Sequence, residues 1–267
     1  MPARDGVTFA VATYGTGEIL EDNFLASPCL QGSNSHEILI QKDYESAAKA
    51  YNNAIERSHN DLMVFAQQDM VFPEPWLSQL DQAIDYLDSA DPGWGPLGCY
   101  GRARDGVGRG YLYSPGRGLI GSPFEAPAPI QTLDEIVLIF RKSSGLRFDD
   151  SLPHFHLYGT DICLSAEKMG MKSYAIPAFC IHNAHQYVVL PREFYASCAH
   201  IKRVWKDYLP IETTCLRITR SNIPMYRRRL REAYLEHIRH KGFIAPRAKD
   251  VPELLHQAAI AVMALEQ

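Results

Sequence analysis

The sequence predicts an α/β protein built on a doubly wound, mostly parallel sheet flanked by helices, with a helical C-terminal extension. Three observations lead there. Short β-rich runs alternate with segments of helical periodicity across the first two thirds of the chain. The run Leu62 to Ala66 is apolar throughout and reads as a buried strand. From Pro191 onward the pattern is mostly helical. An α/β domain is therefore expected over 1–190, and a mostly helical extension packed on it over 191–267.

The elements follow in order. "TFAVAT", Thr8 to Thr13, reads as a strand that breaks at Tyr14-Gly15-Thr16-Gly17. "HEILIQ", His36 to Gln41, reads as a second strand, and Asp43 is the expected cap of a helix carrying Ala47, Tyr51, Ala54 and Ile55 at helical spacing. "DLMVFA" is the third strand. "PWLSQLDQAIDYL" follows as an amphipathic helix with Pro75 near its first turn. Gly98 to Pro129 holds four arginines, with seven glycines between Gly101 and Gly121, and reads as a long irregular loop of the kind that often forms lids or binding loops. "EIVLIF", Glu135 to Phe140, restores a strand, "GTDICLSAEKMGM" starts a helix, and "SYAIPAFCI" returns to a strand. The basic stretch "YRRRLREAYLEHIRHK", Tyr226 to Lys241, reads as a solvated helix face, with peripheral contact to an anionic membrane as the alternative. A final apolar helix is expected near Val251 to Leu265.

Composition narrows the class. The 267 residues are 46% hydrophobic and 22% charged, which is ample for a core. A net charge of −4 gives no reason to expect a nucleic-acid partner. The six cysteines lie far apart with no C-x-x-C pair, which argues against a zinc cluster and suits a reduced, cytoplasmic setting. "MPARDGV" has no apolar signal core, and no run reaches the ~18 apolar residues of a membrane span.

Several residues could carry chemistry, and each also has a plain structural reading. "GRGLIG", Gly116 to Gly121, matches the dinucleotide fingerprint, but Ser114-Pro115 precedes it and "SPFEAPAP" cannot open the helix that motif needs. It is read as loop. Asp69 ends the third strand, where open α/β sheets bind ligands, or else forms a turn with its own backbone. Asp134 and Glu135 precede a buried strand as pocket groups or as its solvated start. Asp161 lies at a helix start, where capping is the structural alternative. His182 ends a strand, and His154, His156 and His185 fall in the same short stretch, which gathers four of the ten histidines.

Together these segments resemble the nucleotide-sugar glycosyltransferases of the GT-A fold, of family-2-like type, in particular the group built around a putative streptomycin-biosynthesis glycosyltransferase. The resemblance rests on "VFAQQDMVF", "TLDEIVLIF", "RFDDSLPHFHLYGTDICLSAEKMG" and "CIHNAHQ", in that order, and covers roughly residues 8–186. It implies a GT-A, Rossmann-like sheet and transfer of a sugar from a nucleoside diphosphate sugar to a hydroxyl of an acceptor glycan or small molecule, by an inverting, metal-dependent route. It further implies a place in making a surface polysaccharide or a glycosylated metabolite. By the same resemblance Asp69 and His182 hold a divalent metal (Mn2+ or Mg2+), and Asp161 is the catalytic base. Asp134, Glu135 and His156 line the sugar or acceptor pocket. Thr13, Tyr14, Asp43, Ser46, Asn52 and Gln68 contact the donor, and Arg102, Arg104, Arg109 and Arg117 close over the diphosphate. Gln67 stands where the usual motif has its first carboxylate, so the metal site has one carboxylate and one imidazole, a set that suits manganese better than calcium. A non-catalytic protein of the same fold that binds a nucleotide sugar or glycan is the alternative. A nucleotidyltransferase would need a basic, glycine-rich phosphate loop after the first strand, and "ATYGTGEIL" has no basic residue.

Overall fold

The computed structural model describes residues 6–31, 36–187, 189–238 and 243–264. The strands are β1 (Val7–Thr13), β2 (Glu37–Lys42), β3 (Leu62–Gln67), β4 (Met70–Val71), β5 (Leu97–Gly98), β6 (Tyr100–Arg102), β7 (Gly108–Ser114), β8 (Gly118–Gly121), β9 (Ala128–Ile130), β10 (Thr132–Leu133), β11 (Val137–Arg141), β12 (Ser173–Ala175) and β13 (Cys180–His182). Four short strands follow: β14 (Gln186–Tyr187), β15 (Ile211–Glu212), β16 (Arg217–Ile218) and β17 (Phe243–Ala245). The helices are α1 (Ala47–Arg57), α2 (Trp76–Ala90), α3 (Tyr158–Lys168), α4 (Arg192–Val204), α5 (Ile223–Ala233) and α6 (Val251–Met263).

The main sheet has the order β2-β1-β3-β11-β5-β12-β9. β2, β1 and β3 run parallel, as do β5 and β12, while β11 and β9 run against their neighbours. Five of these seven strands therefore point one way, the mixed but mostly parallel α/β sheet that was expected. Strand β3 sits at its centre between β1 and β11. Val64 and Ala66 enter one core and Met63 and Phe65 the other, so both faces of β3 are covered and the run has no polar alternation. The first core stacks Phe9, Phe24, Phe72 and Trp76 edge-on or tilted, and the second gathers Tyr51, Phe65, Phe140, Phe148 and Tyr158.

A second sheet, β10-β6-β7-β13-β4 with β8 beside β7, fills the span expected to be an irregular loop. The glycines that suggested flexibility serve close strand approach instead. A Cβ on Gly110, whose φ is +102°, would stand 2.0 Å from the Cys99 carbonyl oxygen, and one on Gly121 2.0 Å from the Gly110 carbonyl oxygen. "GRGLIG" accordingly becomes β8 of a hairpin with β7. The stretch "SYAIPAFCI" divides between the two sheets as β12 and β13.

Two further expectations change. Ser46, not Asp43, caps α1, its Oγ accepting from the Lys49 amide at 3.4 Å. Asp43 lies in a left-handed turn with φ 60°, a conformation Asp tolerates. The C-terminal region adds to its helices a small hairpin, β15–β16, and an antiparallel pairing of β14 with the distant β17. Phe194, Cys198, Ile201 and Trp205 of the α4 region, with Ile211 and Ile218, join the second core beneath the main sheet. Residues 1–5 of the N-terminal stretch and 239–241 of the basic stretch lie outside the described residues.

Helix α3 approaches the Asp134–Glu135 turn closely. A Cβ on Gly159 would meet the Leu133 carbonyl oxygen at 2.8 Å and the Glu135 amide nitrogen at 3.2 Å. Gly159→Ala gains about 1 kcal/mol of helix propensity but forces backbone apart, an overpacking cost of about 1–3 kcal/mol. The variant is expected to be less stable in urea denaturation; a stabilised variant would refute the close approach.

Candidate functional site

The chemistry-bearing residues gather where β1, β2 and β3 end. β3 stops at Gln67, and the chain crosses through Gln68 and Asp69 into β4, which pairs antiparallel with β13: Met70 faces His182 and Val71 faces Ile181. The Asn183 amide extends that ladder by donating to the Asp69 carbonyl at 2.9 Å. This register carries His182 to Asp69, with Nε2 3.6 Å from Oδ1. The Ser114 hydroxyl donates to the His182 carbonyl at 2.8 Å and fixes the strand end from β7.

A third charged group comes from the far end of the sequence. Arg247 donates from Nη2 to Asp69 Oδ2 at 3.2 Å and from Nε to the Asn183 carbonyl at 2.7 Å. Its backbone is clamped by Asn183, which is fully buried. The Asn183 Oδ1 accepts from the Ala248 amide at 2.8 Å, and its Nδ2 donates to the Ala248 carbonyl at 2.9 Å and to Asn23 Oδ1 at 2.7 Å. Burial would raise the Asp69 carboxyl, but His182 and Arg247 outweigh it and hold it below the usual carboxylate range. Burial would lower the His182 imidazole, yet Asp69, with Asp134 behind it, holds it above its ordinary value. Asp69 therefore stays ionised beside the Arg247 guanidinium.

Asp134 and Glu135 are both partly exposed at the same crevice. Glu135 Oε1 accepts from the Leu157 amide at 3.1 Å and lies 4.0 Å from His156 Nδ1. Leu157 is left-handed with φ 64°, as is His154 with φ 63°, so the loop before α3 stores backbone strain beside this carboxylate. The Tyr158 hydroxyl donates to the Glu135 carbonyl at 2.6 Å. Burial, with the charge of Asp134 added, pushes the Glu135 carboxyl well above the usual range. Burial lowers the His156 imidazole, which stays neutral beside it.

The remaining predicted residues divide. Thr13 donates to Gln68 Oε1 at 2.6 Å, a buried link between the ends of β1 and β3. Tyr14 is exposed beside it, and the Asp43 amide donates to the Thr13 carbonyl at 3.2 Å, so these three rim the crevice. Ser46 is spent on its cap. Asn52 is spent on a tether, donating to the Phe148 carbonyl and to Asp150, both at 2.8 Å, while its Oδ1 accepts from the Phe148 amide at 3.0 Å. Of the loop arginines, Arg102 holds the Gly106 carbonyl at 2.8 Å, Arg104 pairs with Glu167, and Arg109 lies 3.7 Å from Asp105. These three are engaged away from Asp69, and the guanidinium that reaches it belongs to Arg247.

Asp161 is placed apart from this group. It is 1% exposed within α3, and its Oδ1 accepts from the Trp205 indole at 2.7 Å. Its electrostatic neighbours are Asp149 and His200, on the side facing α4. A carboxylate so enclosed has no path to an acceptor hydroxyl, so the geometry makes Asp161 an anchor between α3 and Trp205.

The implied divalent metal finds two candidate donors among these side chains. Among the described residues no cluster of three His, Cys, Asp or Glu could hold a metal ion. Asp69 Oδ1 and His182 Nε2 form a two-donor, mixed oxygen and nitrogen set that fits manganese, with the remaining positions left to phosphate oxygens and water.

No known family profile matches the chain. A curated relative, "ATP synthase subunits region ORF 6" of Fuscovulum blasticum, is 26% identical over 165 residues, which is 60% of this chain and 62% of the relative. The match thus spans less than two thirds of that relative. Among solved structures, S. aureus TarS is similar at 13% identity and a TM-score of 0.43, covering 74% of this chain and 39% of that one. The mannosyltransferase PcManGT from Pyrobaculum calidifontis, determined with GDP-Man and Mn2+, is 15% identical with a TM-score of 0.44, covering 97% of this chain and 74% of that one. No helix among the described residues is long and apolar enough to cross a membrane.

Burial pushes the Asp161 pKa up from 3.8 to about 6, against the pull of the Trp205 hydrogen bond. Between those values the folded chain keeps a proton that the unfolded chain has lost. Stability should therefore fall as pH rises from about 4 to 6 and stay lowered above, by up to about 3 kcal/mol. Asp161→Asn is expected to flatten that fall in thermal unfolding across pH. An unchanged pH dependence would show that Asp161 titrates as in the unfolded chain.

Proposed function

We propose that the chain is a glycosyltransferase of GT-A type that moves a sugar from a nucleoside diphosphate sugar to an acceptor hydroxyl. The observation that carries this reading is the cluster of Asp69, His182 and Arg247 at the C-terminal ends of the central strands, with Glu135 and Asp134 across the same crevice. Open α/β sheets bind ligands at that place.

Three carboxylates alone would repel a diphosphate. Arg247 supplies a cationic hydrogen-bond donor, and its guanidinium fork suits phosphate oxygens. Asp69 and His182 would hold a divalent cation, which when bound supplies Lewis-acid stabilisation of the departing diphosphate. Thr13, Tyr14, Asp43 and Gln68 form the wall nearest the nucleoside. The acceptor oxygen attacks the anomeric carbon as the bond from that carbon to the diphosphate oxygen breaks, in one inverting displacement. Glu135 takes the hydroxyl proton, because its raised pKa brings its proton affinity near neutrality, where a general base works best. His156, kept neutral, borders that carboxylate on the acceptor side.

Calorimetry with nucleoside diphosphates and their sugars, with and without manganese, tests the reading. Arg247→Ala is expected to weaken nucleoside diphosphate binding by roughly 10- to 100-fold, the range for a hydrogen bond to a charged group. Unchanged binding would remove Arg247 from the donor site. Glu135→Gln is expected to keep donor binding and lower transfer by about 100-fold or more; near-normal turnover would exclude it as base. Tight donor binding with no transfer or hydrolysis by the native chain would favour a non-catalytic nucleotide-sugar binder.

A further inference from the structure

Helix α5 presents apolar residues on two sides. Its inward face packs Met225 against the second core beside a polar cluster: Glu232 is buried, accepting from Arg228 Nε at 2.7 Å and from the Tyr195 hydroxyl of α4 at 2.5 Å. Arg228 also donates to the Cys215 carbonyl, and Arg229 lies over the Tyr195 ring at 5.1 Å. The outward face is apolar. Ile223, Tyr226 and Leu230, continued by Tyr234 and Ile238 in the following turn, are 58%, 56%, 72%, 47% and 66% exposed. Their spacing of three, four, four and four residues lays them along one side. Scattered apolar residues on a surface need no explanation, but five in line on one helix do.

The charges say what covers the stripe. Arg227 and Arg231 each follow a stripe residue by one position and are exposed beside it. The carboxylate of Glu232 is buried and paired, and Glu236 lies 3.7 Å from His237. The stripe is therefore edged by cations in a chain whose net charge is −4. Two tyrosines sit within it, a residue favoured at the membrane–water boundary. We propose that α5 and the turn after it form an interfacial helix that lies on an anionic lipid bilayer, with the stripe in the acyl boundary and Arg227 and Arg231 at the headgroups. Such a helix binds by buried apolar area plus attraction to anionic lipid. This proposal stands on α5 alone and does not depend on glycosyl transfer.

Flotation of the full chain with vesicles of phosphatidylcholine, alone or mixed with phosphatidylglycerol, tests it. The native chain is expected to float with the anionic vesicles and much less in high salt or with neutral ones. Leu230→Glu should lower bound protein on the order of tenfold, and separately the pair Arg227→Gln and Arg231→Gln by about 30-fold, at about 1 kcal/mol per lost cation. These side chains are exposed, and unchanged circular dichroism and thermal unfolding would confirm that the variants fold. Failure of the native chain to float would overturn the proposal, as would binding indifferent to both variants. Light scattering adds the remaining arm: a dimer that Leu230→Glu splits would show that a second copy covers the stripe.

Discussion

The candidate site depends on the register of the β4–β13 pair. Asp69 precedes β4 and His182 ends β13, so the two meet only because Met70 faces His182 and Val71 faces Ile181. That register is held by burial. Val71 and Ile181 sit together in a small third core with Val251 and Leu254 of α6, while Met70 and Phe72 point into the first core. A slip of one residue would exchange the two faces and turn Val71 and Ile181 away from α6. The chemistry is thus pinned by apolar contacts that take no part in it. The same contacts seat α6, and with it the segment that delivers Arg247.

Electrostatics then decides what the crevice accepts. Asp69 is nearly buried, and a buried carboxylate without partners is costly. His182 and Arg247 offset that cost, one from each carboxylate oxygen, and each is itself held by the sheet edge: Ser114 grips the His182 carbonyl, and Asn183 grips the chain around Arg247. The buried Asn183 amide spends its capacity on Asn23 and Ala248, so the guanidinium approaches in one orientation. An anionic ligand entering here meets a guanidinium already aimed and charged, the condition under which electrostatic stabilisation is strongest.

Much of this was legible in the sequence because it is local. The apolar run of β3, the break at Gln67, and the carboxylates before β11 are each a few residues long and follow from periodicity alone. Asp69 and His182 were likewise visible as strand-end residues. What was not legible is what arrives through tertiary contact. Arg247 lies 178 residues beyond Asp69, in a stretch without a motif, and nothing in its neighbours marks it. Asn183 stood next to His182, but its value lies in an amide network that only the fold assembles. The glycines of 98–129 misled because glycine serves both a loose loop and two backbones in close approach, and only the partner strand decides between them. Asn52 and Ser46 differ again: their polar atoms are engaged by the Phe148 backbone and by the Lys49 amide of α1.

Asp161 and Glu135 show why a raised pKa does not by itself name a base. Burial raises both carboxyls, and hydrogen bonds that favour the ionised form oppose it at each, led by Trp205 in the first case and Leu157 in the second. By titration alone they would be rivals for the same role. They differ in what lies in front of them. Asp161 is closed in by Trp205, so its proton can pass to nothing but water that unfolding admits, and its shift is a matter of stability. Glu135 is partly open to a crevice that it shares with Asp134, His156 and the Asp69–His182 pair, and the left-handed turn at Leu157 holds its Oε1 in place. The same cost of burial is therefore a structural expense at one site and a source of proton affinity at the other, and access to the crevice is what separates them.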